Sequence, residues 1–124
     1  ELHAGGLAQK SFVHIQDVTR GMLIALNAEA DGVFHFSRQS SETVADVVRT
    51  VCDELGVDFD QATKVVGERL GQDSRYWLDC SRAEKELGWR PEVSSVDGIR
   101  ETVAWMERDW ETIKTLPLEY RHKT

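Results

Sequence analysis

The sequence is poor in the residues that cross-link, divide or insert a chain, and each shortage excludes a class of protein. Two cysteines, Cys52 and Cys80, are too few for a disulfide scaffold, and neither lies in a Cys-x-x-Cys or Cys-x-x-His pair that would hold a metal. Only two prolines are present and no linker-like run divides the 124 residues, so we expect a single domain over residues 1–124. No apolar run approaches the ~18 residues that a membrane span needs, so we expect no membrane partner.

Positive charge is also scarce. The chain has 15 lysines and arginines against 22 aspartates and glutamates, which gives a formal net charge of −7. A nucleic-acid binder normally presents a basic face, so this balance argues against a nucleic-acid partner. The N-terminus has no secretory signal pattern, and we expect a cytoplasmic location. The chain does not begin with Met, as expected of a segment from a longer polypeptide.

The hydrophobic patterns predict a small mixed α/β domain with a few short strands and about four helices. Strands are predicted at residues 12–15, 33–36 and 63–66, and residues 76–79 are expected to be extended. Residues 67–74 are polar and contain glycine, which predicts a loop.

Capping patterns predict where the helices begin and end. The predicted N-terminal signals are Asp17, Thr43 with Asp46, Ser81 with Glu84, and Ser94 with Asp97. Gly56 and Gly88 are expected to end the second and third helices. The last helix is expected to run through Ile113, and its apolar spacing favours core packing over a coiled coil because fewer than three heptads are present.

The histidines and tryptophans receive structural interpretations. His14 and His35 fall in predicted strands, and we assign no role to His3 or His122, which lie near the ends of the chain. No Ser-His-Asp spacing, HExxH motif or Walker loop is present. The tryptophans are predicted to be packing anchors: Trp77, Trp89, Trp105 and Trp110.

One loop contains residues that suit a phosphorylated ligand. Arg69 and Arg75 flank a segment with Gly71, Gln72 and Asp73. A guanidinium group donates paired hydrogen bonds that match a phosphate, and an amide or carboxylate can hold sugar hydroxyls. The alternative is a solvated turn.

Four stretches, in order, resemble motifs of the extended short-chain dehydrogenases that act on nucleotide sugars. They are residues 10–18 (KSFVHIQDV), 32–36 (GVFHF), 69–79 (RLGQDSRYWLD) and 81–105, which includes SRAEKELGWRP and GIRETVAW. The likeness is greatest to NDP-sugar 4,6-dehydratases of the dTDP-glucose or GDP-mannose type, ahead of the 4-epimerases. It covers only the C-terminal, substrate-binding portion of that family, and so implies the fold of that lobe.

The resemblance implies a nucleotide-diphosphate-sugar ligand. In such enzymes the positions matching Lys10 and Arg69 contact the diphosphate, and the position matching Gln72 contacts phosphate or ribose. Arg75 is a further candidate substrate-binding residue. Lys10 stands where Arg is commoner, and Gln72 where His or Asp is usual, so the likeness leaves the sugar and the nucleotide open.

Two family motifs are absent from this sequence: the glycine-rich loop that cradles NAD and the Tyr-x-x-x-Lys pair of the catalytic centre. We therefore expect the N-terminal NAD-binding Rossmann domain to lie outside this chain, with NAD(P) bound by the complete enzyme. That enzyme would oxidise the sugar at C4, eliminate water across C5 and C6, and re-reduce the product. No catalytic residue is assigned here, and the chain alone is expected to be inactive.

Two other functions stay open: a stand-alone non-enzymatic binding or dimerisation module, and a gene remnant that retains the fold. The expected protein partner is a second copy of the chain, in a homodimer, or a partner carrying the dinucleotide-binding domain. Self-association is expected through the predicted strand at 33–36 or through the helix face of Trp105 and Trp110, because open apolar edges pair with another chain. The alternative is that residues 1–9 cover that strand.

Overall fold

The computed structural model describes residues 1–40, 42–68 and 70–117. Within them, four helices of seven residues or more are joined by single-turn helices and two-residue strands. The elements in chain order are β1 (Leu2–His3), a 3₁₀ turn (Ala4–Gly6), β2 (Gln9–Lys10), α1 (Ile15–Asn27), α2 (Val44–Leu55), α3 (Phe59–Ala62), β3 (Val65–Val66), β4 (Arg75–Tyr76), α4 (Ser81–Leu87), α5 (Ser95–Arg108) and α6 (Trp110–Ile113). The prediction of a small mixed α/β fold with few strands is confirmed.

The strands form two separate parallel ladders. β1 pairs with β3, with Leu2 opposite Val65, and β2 pairs with β4, with Lys10 opposite Tyr76. The first ten residues therefore run alongside residues 65–76. The described residues of 4–8 and 67–74 lie between the two ladders and are not paired in them. This pairing joins parts of the chain more than 60 residues apart and leaves no local signature in the sequence.

The strand predicted at residues 12–15 is wrong. Residues 12–14 belong to no ladder, and α1 begins at Ile15 with His14 at its N-cap. Asp17 is not the N-cap, because it lies inside the first turn and its carboxylate accepts hydrogen bonds from the backbone N–H groups of Glu92 and Val93. The Asp17 carboxylate therefore makes tertiary hydrogen bonds instead of capping the N-terminus of α1, which the local pattern predicted.

The strand predicted at residues 33–36 is also wrong, because no strand pairs with this segment in the described structure. It is contacted instead by the Arg82 side chain. The Arg82 guanidinium of α4 donates to the carbonyl oxygens of Asp31 and Val33, at 3.0 and 3.1 Å. It also lies 4.3 Å from the centre of the Phe34 ring. The segment is thus attached to α4 while remaining outside any ladder.

Two of the four predicted N-terminal caps are confirmed. Thr43 and Asp46 form a reciprocal capping box on α2, and the Ser94 hydroxyl accepts from the Asp97 N–H on α5. Gly56 ends α2 with a φ of 65°, in the left-handed region that favours glycine. In α4 the N-cap is Cys80 rather than Ser81.

The predicted last helix is interrupted at Asp109. α5 ends at Arg108, and the Asp109 backbone, with φ −102° and ψ 12°, separates it from the single turn of α6. Aspartate is a poor residue for a helix interior, since its side chain competes for local backbone hydrogen bonds.

Among the described residues, Trp89 is the largest buried apolar side chain, and the buried apolar residues are Leu2, Ala45, Cys52, Ala83 and Trp89. Trp89 donates from Nε1 to the Asp17 carbonyl oxygen at 2.8 Å and packs edge-on against Phe36. It thereby docks the end of α4 on α1. The other three tryptophans are 43–51% exposed: Trp77, Trp105 and Trp110. The prediction that they are packing anchors in the core is therefore wrong. α2 packs mainly against α5.

The described part of the chain shows neither a membrane-spanning helix nor a cluster of metal-binding side chains. None of its helices is long and apolar enough to cross a bilayer. No group of three or more histidine, cysteine, aspartate or glutamate side chains comes together there as a metal site.

Candidate functional site

The ladder between β2 and β4 brings Lys10 to the end of loop 67–74. The Lys10 ammonium donates to the carbonyl oxygen of Asp73 at 3.0 Å and lies 5.9 Å from the centre of the Tyr76 ring. Ser11, the next residue, donates its hydroxyl proton to the Tyr76 carbonyl oxygen at 3.1 Å. These contacts place Lys10, a predicted phosphate-binding residue, beside the loop that contains Gln72.

Arg75 faces the other way. Its Nε donates to the Gln9 Oε1 at 2.8 Å, and its guanidinium lies 4.4 Å from the centre of the Trp77 ring. Successive side chains of a strand point to opposite faces, so Gln9 and Arg75 share one face of the ladder while Lys10 and Tyr76 share the other. The structure therefore does not bring the Lys10 and Arg75 side chains together on one face.

The two remaining predicted site residues belong to the loop itself. Gln72 is exposed and precedes Asp73, whose carbonyl oxygen accepts the hydrogen bond from the Lys10 ammonium. Leu70, in the same loop, is 95% exposed. Arg69 lies outside the described residues. The loop thus offers an open polar segment next to a cation.

His3, to which the sequence patterns assign no role, also lies in this region. Its Nδ1 lies 3.1 Å from the carbonyl oxygen of Gly67, the first residue of the loop. The contact depends on the pairing of His3 with Val66 in the first ladder. No pattern around residue 3 signals that pairing, so local sequence reasoning had no means of finding it.

The titratable groups that follow β4 do not form a nucleophilic centre. Burial raises the pKa of the Cys80 thiol, whose Sγ lies 3.5 Å from the Ser37 carbonyl oxygen. A raised pKa disfavours the reactive thiolate. Hydrogen bonds from the Ser81 backbone and hydroxyl lower the pKa of Asp79, which serves the first turn of α4. The Cys80 thiol is therefore not activated as a nucleophile by its surroundings.

The described residues do not fit a dinucleotide cofactor. Such a cofactor is held where a glycine-rich turn joins a strand to the N-terminus of a helix. Here the one Gly-Gly pair in the sequence, Gly5-Gly6, lies between β1 and β2 and leads into no helix.

Comparison with known proteins gives concordant matches. The family model described as GDP-mannose 4,6 dehydratase matches residues 1–102. A dTDP-glucose 4,6-dehydratase of Streptomyces antibioticus is 32% identical over 120 residues, covering 94% of this chain and 36% of the relative. Its counterpart from an Actinoplanes species is 34% identical over 114 residues, covering 90% of this chain and 35% of the relative.

The solved structures agree. DesIV, a dTDP-glucose 4,6-dehydratase from Streptomyces venezuelae solved with NAD bound, superposes with a TM-score of 0.79 at 32% identity, covering 90% of this chain and 34% of that one. A UDP-glucuronic acid 4-epimerase from Bacillus cereus, at 20% identity and a TM-score of 0.70, shares the fold, with 83% of this chain and 33% of that one covered. The chain spans about a third of the length of the relatives it matches.

Proposed function

Because this chain belongs to the GDP-mannose 4,6-dehydratase family, we propose that it is the nucleotide-sugar-binding portion of an NAD(P)-dependent sugar-nucleotide 4,6-dehydratase or epimerase. The observation that supports this most directly is the position of Lys10, whose ammonium is held at the end of loop 67–74 by a contact across 63 residues of sequence. A nucleoside-diphosphate hexose is the proposed ligand.

The four candidate residues have different proposed roles. Lys10 and Arg69 contact the diphosphate, since ammonium and guanidinium groups are the donors that phosphate oxygens favour. Gln72 donates to a phosphate or ribose oxygen from its exposed position in the loop. Arg75 supports the site by bracing β4 against Gln9 and Trp77 from the opposite face.

Calorimetric titration with dTDP-, UDP- and GDP-glucose tests the proposal. We expect at least one of these ligands to bind, with an affinity that falls as salt is added because charge pairs dominate. Lys10→Ala and Arg69→Ala are each expected to weaken binding by about 1.5–3 kcal/mol, the range for hydrogen bonds to charged groups. Lys114→Ala is the matched control, because it removes the same charge from the turn after α6.

Two results would count against the assignment. If none of the three sugar nucleotides binds, the chain is not the nucleotide-sugar portion. If Lys10→Ala and Arg69→Ala bind like the Lys114→Ala control, loop 67–74 is a solvated turn and the ligand is held elsewhere.

The cofactor and the catalytic groups are proposed to lie in the rest of the polypeptide or in a partner chain. The exposed apolar face of α1 supports this proposal: Ile15, Met22, Leu23 and Leu26 are all exposed. A face of this kind is normally covered by another protein surface. The same observation supports the alternative of a stand-alone dimerisation module, in which a second copy covers the face.

The cytoplasmic location remains a prediction.

The isolated chain is expected to show neither turnover nor NAD affinity. The reason is that it lacks a glycine-rich dinucleotide loop and a Tyr-x-x-x-Lys pair. Incubation of residues 1–124 with NAD and a panel of NDP-hexoses, followed by chromatography of the sugar nucleotides, measures this. Formation of any 4-keto product by the chain alone would show that the catalytic groups have been misassigned.

A further inference from the structure

We propose that His3 is a positioning residue, which acts with Lys10 to hold the two ends of loop 67–74 in the conformation that receives the ligand. The inference rests on the proposed function, because this loop is the segment assigned to the nucleotide diphosphate. Neither the motifs of the sequence nor the comparisons assign a role to His3.

The first end of the loop is held by the His3 ring. The β1–β3 register places His3 opposite Val66, and the Leu2 N–H donates to the Lys64 carbonyl oxygen at 2.7 Å. The ring thus starts from a fixed backbone position one residue from Gly67, and its Nδ1 lies 3.1 Å from the Gly67 carbonyl oxygen. A carbonyl oxygen only accepts, so Nδ1 must be the protonated nitrogen that donates.

The C-terminal end of the loop is held in the same manner by Lys10. The Gln9 N–H donates to the Ser74 carbonyl oxygen at 2.8 Å, and the Lys10 ammonium donates to the Asp73 carbonyl oxygen at 3.0 Å. At each end, a side chain from the N-terminal segment therefore extends the backbone ladder by one further hydrogen bond into the loop.

The backbone that carries His3 is itself anchored. Ala4, Gly5 and Gly6 all have positive φ values, of 47°, 68° and 71°, and these three residues turn the chain away directly after His3. Gly6 then lies so close to α2 that an added Cβ would be 3.0 Å from the Ala45 nitrogen. His3 is thus tied to the helical part of the fold on one side and to the loop on the other.

The described residues inside the loop are open to solvent. Leu70 is 95% exposed, and every residue from Gly71 to Ser74 is also exposed. Binding to such a loop costs conformational entropy unless contacts made before the ligand arrives have already restricted it. The two side-chain contacts at its ends supply that restriction. Loss of the His3 contact is expected to lower affinity without removing a ligand contact, whereas Lys10 is itself proposed to contact the diphosphate.

Four variants separate the hydrogen bond from the bulk of the ring. His3→Phe keeps an aromatic ring but has no donor. His3→Asn places an amide N–H two bonds from Cβ, as Nδ1 is, whereas His3→Gln places its amide one bond further out. His35→Phe is the matched control, since the His35 Nδ1 makes the same kind of contact, 3.2 Å from the Asp79 carbonyl oxygen outside the loop.

Two measurements are made on each variant: backbone ¹⁵N order parameters of Gly67 and Glu68 in the free chain, and the affinity for dTDP, UDP and GDP. We expect His3→Phe and His3→Gln to lower the order parameters and to weaken nucleotide binding about three- to tenfold, the effect of one hydrogen bond. His3→Asn and His35→Phe are expected to match the parent in both measurements. The salt dependence of binding stays as in the parent, because no charge contact is lost.

The results distinguish the positioning role from the proposed function. If the parent binds none of the three nucleotides, the proposed function fails, while the order parameters still decide whether His3 holds the loop. If His3→Phe leaves Gly67 and Glu68 as ordered as in the parent, the positioning role is overturned. Should His3→Phe fail to fold, equal order parameters in His3→Asn and His3→Gln overturn it as well.

Discussion

Asp17 is a single side chain that serves two distant parts of the fold. It is only 1% exposed, and its carboxylate accepts from the N–H groups of Glu92 and Val93 at 3.0–3.1 Å and from Arg20 at 2.9 Å. Its carbonyl oxygen accepts from Trp89 Nε1. A buried carboxylate is costly unless its hydrogen bonds are satisfied. Here the donors to the carboxylate are Arg20, three residues further along α1, and the backbone of the segment that precedes α5.

The pKa of Asp17 gives a prediction about acid stability. Burial raises this pKa, but the hydrogen bonds from Glu92, Arg20 and Val93 outweigh burial, so the pKa lies below its ordinary value of 3.8. The stabilisation is therefore fully present above about pH 4 and is lost as the pH falls through the lowered pKa of the folded state. We expect Asp17→Asn to cost about 2 kcal/mol at pH 7 and to flatten the loss of stability below pH 4.

Urea denaturation between pH 2 and pH 7 measures this effect. Asp46, Asp79 and Glu86 also have lowered pKa values and contribute to acid lability, so the informative quantity is the difference between the parent and Asp17→Asn. Asp53→Asn is the control, because Asp53 is exposed on α2. Parallel pH profiles for the parent and Asp17→Asn would show that the carboxylate does not support the fold.

Among the secondary-structure elements, α2 is the one whose ends are most completely specified by nearby residues. The Thr43 hydroxyl accepts from the Asp46 N–H at 3.1 Å, and the Asp46 carboxylate accepts from the Thr43 N–H at 2.8 Å. α1 has no side-chain hydrogen bond at its N-cap, and depends instead on tertiary contacts made by Asp17. The two helices thus represent local and non-local specification in one chain.

The capping box predicts the cost of its own removal. We expect Thr43→Ala to destabilise the chain by about 1 kcal/mol, the usual value for losing an N-cap hydroxyl. Thr50→Ala is the matched control on the same helix, because the Thr50 hydroxyl only donates to the Asp46 carbonyl oxygen one turn earlier. Urea titration of both variants is the measurement, and equal losses would mean that the box contributes nothing beyond helix propensity.

On the scale of the whole molecule, the described residues leave apolar surface open on α1 and beside the contact between α2 and α5. The α1 face is exposed, with Leu26 at 73%. A groove of about 260 Å³ lies beside the contact between α2 and α5, and it is lined by Val47, Val51, Ile99, Val103 and Met106 together with His14. The His14 Nδ1 is buried there with no hydrogen-bond partner among the described residues. A chain with so few buried apolar side chains is expected to gain stability when these surfaces are covered.

We therefore expect residues 1–124 on their own to self-associate. The predicted route through residues 33–36 is not supported, because Arg82 occupies the carbonyl groups of Asp31 and Val33. Residues 1–9 do not cover that segment either, since β1 and β2 pair with β3 and β4. The α1 face is open, with Ile15, Met22, Leu23 and Leu26 all exposed, and Leu26→Lys is expected to abolish association by placing a charge in it.

Light scattering coupled to gel filtration measures the mass at tens of micromolar protein. The parent is expected at about twice 14.1 kDa and Leu26→Lys at 14.1 kDa, with Leu116→Lys as a control that charges another exposed leucine. A parent that elutes as a 14.1 kDa particle would show that the open α1 face does not drive pairing. A dimeric Leu26→Lys would place the interface elsewhere, with the face of Trp105 and Trp110 the next candidate.

Much of the helical structure follows from residues close together in the sequence. The caps at Thr43 and Ser94 and the stops at Gly56 and Gly88 were predictable because each depends on hydrogen bonds within about one helical turn. The ordered motifs between residues 10 and 105 likewise sufficed to indicate the family, which the match over residues 1–102 confirms.

What only the tertiary structure decided is where distant segments meet. The sequence by itself determined the helices with local caps, the mixed α/β class and the candidate residues Lys10, Arg69, Gln72 and Arg75. It did not determine that Lys10 and Arg75 leave a ladder on opposite faces, or that His3 reaches Gly67, since both depend on strand pairings across more than 60 residues. It misplaced Asp17 for the same reason: when a distant backbone N–H competes with a nearby one for a carboxylate, packing of the whole chain decides the partner.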